Sequence, residues 1–271
     1  MSDLSTVSTH SKSVRRAARP YVWFAIGAIA LAGIVWAMRQ RKAEDFKVLP
    51  LSFLSAPQTA ELLRTDFDDF AKKLNTVNLE ACGVVSYEDL LDKWATSASD
   101  FTEEEQRRLR EAAKLVDYTI NTKLKSPLKE QMQSLGWQFA KTTHPYYLDG
   151  LPHTRGDLIF LTDKVTLSYD PKRLAQILLH EKVHLWQRKF PQDLQAYLQR
   201  HSFQPLRLDT EDALQRMNPD TDGVIYQNAK GDVLGVRYTS PTPFSLRDVH
   251  YDLDKDHPNE QMASRVEKLV L

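Results

Sequence analysis

The 271 residues contain a single cysteine, Cys82, so no intrachain disulfide can form and a cysteine-rich zinc site is excluded. Net charge is missing too: 36 Lys and Arg balance 36 Asp and Glu. That balance leaves no field to gather a polyanion, and nucleic acid is excluded as a partner. No internal repeat occurs, and no low-complexity tract follows the N-terminal tail. With 42% apolar and 27% charged residues the composition is that of an ordinary globular chain, long enough for one sizeable domain or two small ones.

One stretch lacks charge altogether. Residues 1–20 are polar and basic, and then Tyr21 to Met38 runs eighteen residues without a charge before Arg39, Arg41 and Lys42 end it. At 1.5 Å per residue this spans roughly 27 Å, enough to cross a bilayer core. Trp23 and Trp36 stand near its ends, where indole rings favour the headgroup level. A cleaved signal peptide is the rival, because Arg15-Arg16 precedes the run and Ala28-Ile29-Ala30 lies within it. The run continues past those alanines into cations, as stop-transfer segments do. The expectation is a single-pass membrane protein anchored through residues 21–38. Its orientation is open, with four Lys or Arg on each side.

Beyond a linker at 39–54, residues 55–135 read as helical. Ser55-Ala56-Pro57 opens a run with Leu62, Leu63, Phe67, Phe70 and Leu74 at helical spacing, and capping-box patterns follow at Ser86–Asp89 and Thr102–Glu105. Residues 136–271 form the second region. From Trp137 to Ser168 the period shifts toward two, with a strand at 157–161. A long helix starts after Asp170-Pro171 and stops at Phe190-Pro191. A hairpin is expected from Val224–Gln227 and Val233–Thr239, and a last helix from Pro258 to the C-terminus. The fold class is α+β, mostly helical.

The long helix carries His180-Glu181-Lys182-Val183-His184. Residues four apart share one helix face, so both imidazoles can converge on one tetrahedral ion. Glu181 is rotated about 100° from His180, beside the ion and not on it. There it can accept a proton from a zinc-bound water. A third ligand must come from elsewhere. Glu260, His250, Asp256 and His257 all have suitable donors near the last helix.

His180-Glu181-x-x-His184 followed by Asn259-Glu260-x-x-Ala263 resembles the gluzincin class of zinc metallopeptidases. The resemblance covers these two motifs and the order of elements around them. It implies a zincin-like domain with His180, His184 and Glu260 as zinc ligands, Glu181 as general base and a peptide or protein as substrate. The chain departs from that class in three places. Lys182 is charged where an apolar residue is usual, and Ser264 stands where some members carry a carboxylate that orients a zinc-bound His. The 75 residues between His184 and Glu260 also exceed the spacing of compact members.

An oxyanion donor is expected from His250 or Tyr251, with Arg237 and Tyr238 as weaker choices. In metallopeptidases of this type an edge strand lines the cleft and pairs with extended peptide, so His153 or Arg155 would touch substrate. Asn218–Gly223 has the opening of a calcium loop, but Ala229 fills the twelfth position, and the stretch reads as an Asx-rich turn. Two further functions compete with a membrane-anchored zinc hydrolase. One is a zinc-stabilised, membrane-tethered interaction domain using helices 57–121. The other is a membrane-anchored scaffold with incidental histidines.

Overall fold

The computed structural model describes residues 49–143 and 147–270. The expected anchor at 21–38, the N-terminal tail and most of the linker lie outside them. Among the described residues no helix is long and apolar enough to cross a membrane.

The strongest local signals become helix starts. Ser55 caps α1 (Ala56–Arg64) in a closed capping box with Gln58, and Thr102 does the same with Glu105 for α4 (Glu103–Lys123). Between them, Asn75 caps α2 (Thr76–Ala81) and Ser86 caps α3 (Tyr87–Thr96). The helical run expected through Leu74 instead ends at Arg64. Asp66 takes a left-handed backbone (φ 45°), and its carboxylate accepts the N–H groups of Ala71 (2.9 Å) and Lys72 (3.1 Å). An Asx residue that caps a new turn competes with continuing the old one. Phe67 and Phe70 still turn inward, against the guanidinium of Arg155.

A five-stranded mixed sheet forms the centre. β1 (Leu51–Phe53) runs parallel to β3 (Trp137–Thr142), β3 runs parallel to β5 (Leu158–Thr162), and β4 (His153–Arg155) pairs antiparallel with β5 at the edge. β2 (Ala98–Ser99) also pairs with β3. Through β2 the helical region joins the same sheet as the second region, with β1 added from the linker, so it is neither a lid nor a separate domain. All five residues of β5 are buried, as an apolar run covered on both faces must be. The alternation expected to reach Ser168 stops earlier, because α6 (Asp163–Ser168) follows β5 directly. Arg108 holds it by donating to the carbonyls of Thr166 and Tyr169.

α5 (Leu128–Gln133) leads into β3, and α7 (Pro171–Lys189) is the long helix expected after Asp170. The Asp170 carboxylate accepts the Arg173 N–H at 2.9 Å, and Pro171 fits the first turn, where no N–H is needed. α7 packs against α4 and against α9 (Pro258–Val266), which explains why so few of its residues reach solvent. At Pro191 the chain starts α8 (Pro191–Arg200) without an intervening loop.

The later strands are short. β6 (Gln204–Leu208), β7 (Val224–Gln227) and β8 (Val233–Leu234) form one antiparallel sheet. The hairpin therefore exists, but its second arm breaks at Gly235. That residue sits at φ 138°, and a Cβ there would come within 2.9 Å of the Gln215 side chain. Beyond the break, β9 (Arg237–Tyr238) pairs with β10 (Val249–His250).

Candidate metal centre

α7 and α9 bring His180, His184 and Glu260 together, with one ligand atom of each within 4.8 Å of the others. Glu260 Oε2 lies 3.1 Å from His180 Nε2 and 3.6 Å from His184 Nε2. Two ligands on a tetrahedral zinc, each bonded at roughly 2.0–2.1 Å, stand about 3.3 Å apart. The two separations from Glu260 suit such an ion, and the two imidazole nitrogens, within 4.8 Å of each other, would have to draw together to complete it. His184 Nε2 and Glu181 Oε2 are buried and have no hydrogen-bond partner. Buried polar atoms left open in this way are uncommon, and a cation at the centre would satisfy the imidazole.

Each ring is aimed by a second contact. His180 Nδ1 donates to Glu267 Oε2 at 2.9 Å. His184 Nδ1 donates to Gln187 Oε1 at 2.8 Å, and Gln187 Nε2 donates in turn to the Asn259 carbonyl at 3.0 Å. Fixing Nδ1 as donor turns each Nε2 toward the centre, the arrangement that keeps metal-binding imidazoles in one tautomer. The carboxylate absent at Ser264 is thus supplied from Glu267, in the turn after α9. Glu260 Oε1 accepts from Asn218 Nδ2 at 2.7 Å, which leaves Oε2 for the centre.

Without an ion the acids draw protons onto the rings. Burial disfavours a charged His180, but Glu260 and Glu267 override it and push its pKa to about 11. His184 follows to about 9, burial again being overcome by Asp220 and Glu260. Burial raises the Glu181 carboxyl to about 8, with Asp220 adding to the effect. Glu260 stays well below the usual carboxylate range, because the two histidines outweigh its burial.

The rival ligands are occupied. His257 caps α9: its Nδ1 accepts the Asn259 N–H at 3.1 Å, and its Nε2 bonds the Val224 carbonyl at 2.9 Å. The Asp256 carboxylate accepts the His257 N–H at 2.7 Å and the Tyr251 hydroxyl. His250, expected as a ligand or oxyanion donor, is exposed on β10 and does not line the cleft beside the centre. Tyr251 does line that cleft. It is more than half exposed, and partial burial together with Asp256 raises its phenol, so it stays protonated. Of the hairpin choices, Tyr238 is buried with its hydroxyl on Asn78, and Arg237 pairs with Asp212.

The edge strand behaves differently from the expectation. Arg155 is wholly buried, paired with Asp66 and Asp68 and bonded to the Tyr147 hydroxyl, and is not among the cleft-lining residues. His153 lines the cleft, with Nδ1 on the Leu151 carbonyl at 2.9 Å and Nε2 buried without a partner. Burial lowers its pKa to about 4, so the ring is neutral. The outward side of β4 is closed, because Thr154 N–H donates to Asp220 Oδ1 at 2.7 Å and Arg188 Nη2 reaches the Thr154 carbonyl at 3.4 Å.

The Asx-rich turn uses its acids structurally: Asp220 holds Thr154, and Asp222 accepts from Tyr226 and from the Val224 N–H. Asn218, Asp220, Gln187 and Glu267 are the site residues that sequence reasoning missed. Gln187 stands three after His184, a helical neighbour that spacing could have found. Glu267 had no local signal. Lys182, the charged departure, points away from the centre; its ammonium donates to the Leu135 carbonyl at 2.7 Å and lies 3.7 Å from both Asp117 and the Trp137 ring centroid.

Comparison with protein-family models, with curated proteins and with solved structures finds no match for this chain.

Proposed function

We propose that the protein is a membrane-anchored, zinc-dependent hydrolase, a metallopeptidase of gluzincin type. The observation that carries this reading is the convergence of His180, His184 and Glu260 on one point, with His184 Nε2 buried and unpartnered. Zinc, when bound, supplies Lewis acidity that polarises a carbonyl and lowers the pKa of water to about 7. Glu181, raised to about 8 without an ion, would be ionised by the charge of a bound cation and could then take the proton from the attacking water through its free Oε2. Tyr251, protonated at the cleft, is the donor for the developing oxyanion once its hydroxyl leaves Asp256. The anchor at 21–38 would keep this chemistry at a membrane surface.

One observation favours a second reading, a zinc-stabilised, membrane-tethered interaction domain without catalysis: Glu181 is buried and lines neither cleft beside the centre. Metal analysis of the full chain, beside His184→Ala and Glu181→Gln, with a peptide-library screen, separates the two. The hydrolase reading expects about one zinc per chain, metal lost in His184→Ala, and a fall of about 10²-fold or more in rate for Glu181→Gln with zinc retained. Zinc binding without turnover on any peptide selects the second reading. A chain that takes up no zinc rejects both.

A further inference from the structure

The cleft beside His180 and Glu260 has a volume of about 180 Å³, roughly that of six water molecules and close to one amino-acid residue. Leu148, Leu151, Met217 and Leu246 line its apolar part. Among the described residues lining it, Arg216 is the one Arg or Lys. Three carboxylates face the same space, and each is already committed. Asp220 is bonded to Thr154 N–H and Oγ1, and Asp256 to His257 N–H and Tyr251. Glu260 is held by His180 and Asn218. Arg216 is felt by Asp256 across the cleft but is held by no close ion pair. Its side chain makes one hydrogen bond, a long one of 3.4 Å from Nη1 to the Leu246 carbonyl, and among the described residues no carboxylate lies within 4 Å of it.

The backbone under Arg216 is nevertheless fixed. Its N–H donates to the Val236 carbonyl at 2.9 Å, and the next N–H, of Met217, donates to Asn78 Oδ1 at 3.0 Å. Two residues on, Asn218 holds the metal-facing Glu260. A half-buried guanidinium with open donors, set on rigid backbone next to the centre, matches a planar anion. The edge strand points the same way. With Thr154 N–H and carbonyl both engaged, an extended peptide cannot add as a strand there, so recognition must come from the cleft itself.

We propose that Arg216 anchors a substrate carboxylate in this one-residue cleft, selecting substrates that present an acidic group next to the bond being cut. The inference rests on the hydrolase reading for its biological meaning, but the binding preference can be measured without turnover. The carboxylate has two sources, the chain-terminal α-carboxylate or an acidic side chain.

The test is calorimetric titration of the full chain carrying Glu181→Gln, supplied with zinc, against N-acetylleucine, N-acetylleucinamide and the α-amide of N-acetylglutamic acid. Either acid should bind at least about 10-fold more tightly than the neutral amide, as expected for a charge-assisted bidentate pair. Whichever acid binds identifies the source. In Arg216→Met the preference should vanish, while Arg216→Lys should retain part of it. Equal binding of acids and amide, no binding of any probe, or an acid preference unchanged in Arg216→Met would each overturn the proposal. The last result would place the carboxylate on the metal. Absence of peptide cleavage by the unmodified chain, with the preference intact, would instead refute the hydrolase reading alone.

Discussion

The protein buries two clusters of charge, and they are finished in different ways. Around Arg155, the Asp66 and Asp68 carboxylates and the Tyr147 hydroxyl take up the guanidinium, and the remaining Asp66 lone pairs cap the Ala71 and Lys72 N–H groups. Around Glu260, two imidazoles are aimed inward by Glu267 and Gln187, yet His184 Nε2, 3.6 Å from Glu260, and Glu181 Oε2 have no hydrogen-bond partner. A buried network that closes on its own atoms fixes a fold, whereas the second leaves open the two atoms on which the proposed function rests.

Breaking the closed cluster should have the largest effect. Arg155→Met leaves Asp66 buried without its cation, and we expect a loss of about 3–5 kcal/mol of stability by denaturant titration. The zinc uptake of the surviving folded fraction should be unchanged. A smaller loss accompanied by altered metal content would mean that the two clusters are not independent.

Filling the open cluster should do the reverse. At zinc about 1,000 times the dissociation constant, stability should rise by about 4 kcal/mol, reversibly on adding a chelator. His184→Ala should abolish the increment, and a thermal-unfolding series with and without zinc reads it directly. An increment that survives in His184→Ala would show the ion bound elsewhere.

The acid limb of stability tests the neutral ring at the edge of the cleft. His153 has its pKa depressed to about 4 by burial, against about 6.5 when unfolded. Above 6.5 the ring is neutral in both states. As pH falls from 6.5 to 4 the unfolded chain takes up a proton that the folded chain refuses, so stability is lost across that window, by up to about 3 kcal/mol. His153→Gln should flatten this limb relative to wild type. Parallel pH–stability curves for the two proteins would contradict the assignment.

The smallest effect is expected at the outer contact to His180. Glu267→Gln should weaken zinc by about 10–100-fold, in line with other outer-shell partners of metal-binding histidines, and should also lower metal-free stability, because Glu267 helps hold the proton on His180. Competition with a chromophoric chelator would measure it. An unchanged affinity would make Glu267 a bystander.

Local chemistry was readable in advance wherever one element sufficed. The start of α7 at Asp170-Pro171, the capping boxes at Ser55 and Thr102, and the i, i+4 pairing of His180 and His184 each depend on residues within a turn or two of one another. Glu260 was reached through a second motif on its own helix. Reading failed where a distant group intervened. The helix expected to run through Leu74 ends at Arg64, where Asp66 turns left-handed and caps Ala71 and Lys72 while also pairing with Arg155, 89 positions away. The hairpin arm breaks at Gly235, whose left-handed backbone lies where a Cβ would meet the distant Gln215 side chain. Lys182 looked misplaced until Asp117, Leu135 and Trp137 surrounded it.

By itself, then, the sequence determined the starts of α1, α3, α4 and α7, their caps and a pair of histidines on one helical face, since dihedral preference and side-chain spacing act over a few residues. Tertiary structure decided the rest. Packing of α9 against α7 delivered Glu260 to the two rings, and the Asn218–Asp222 turn fixed that carboxylate while closing the edge of β4. It also left Arg216 in the cleft with no carboxylate within 4 Å among the described residues. Which buried polar atoms find partners is a property of three-dimensional packing, because each bond joins residues whose separation along the chain carries no information about their distance in space.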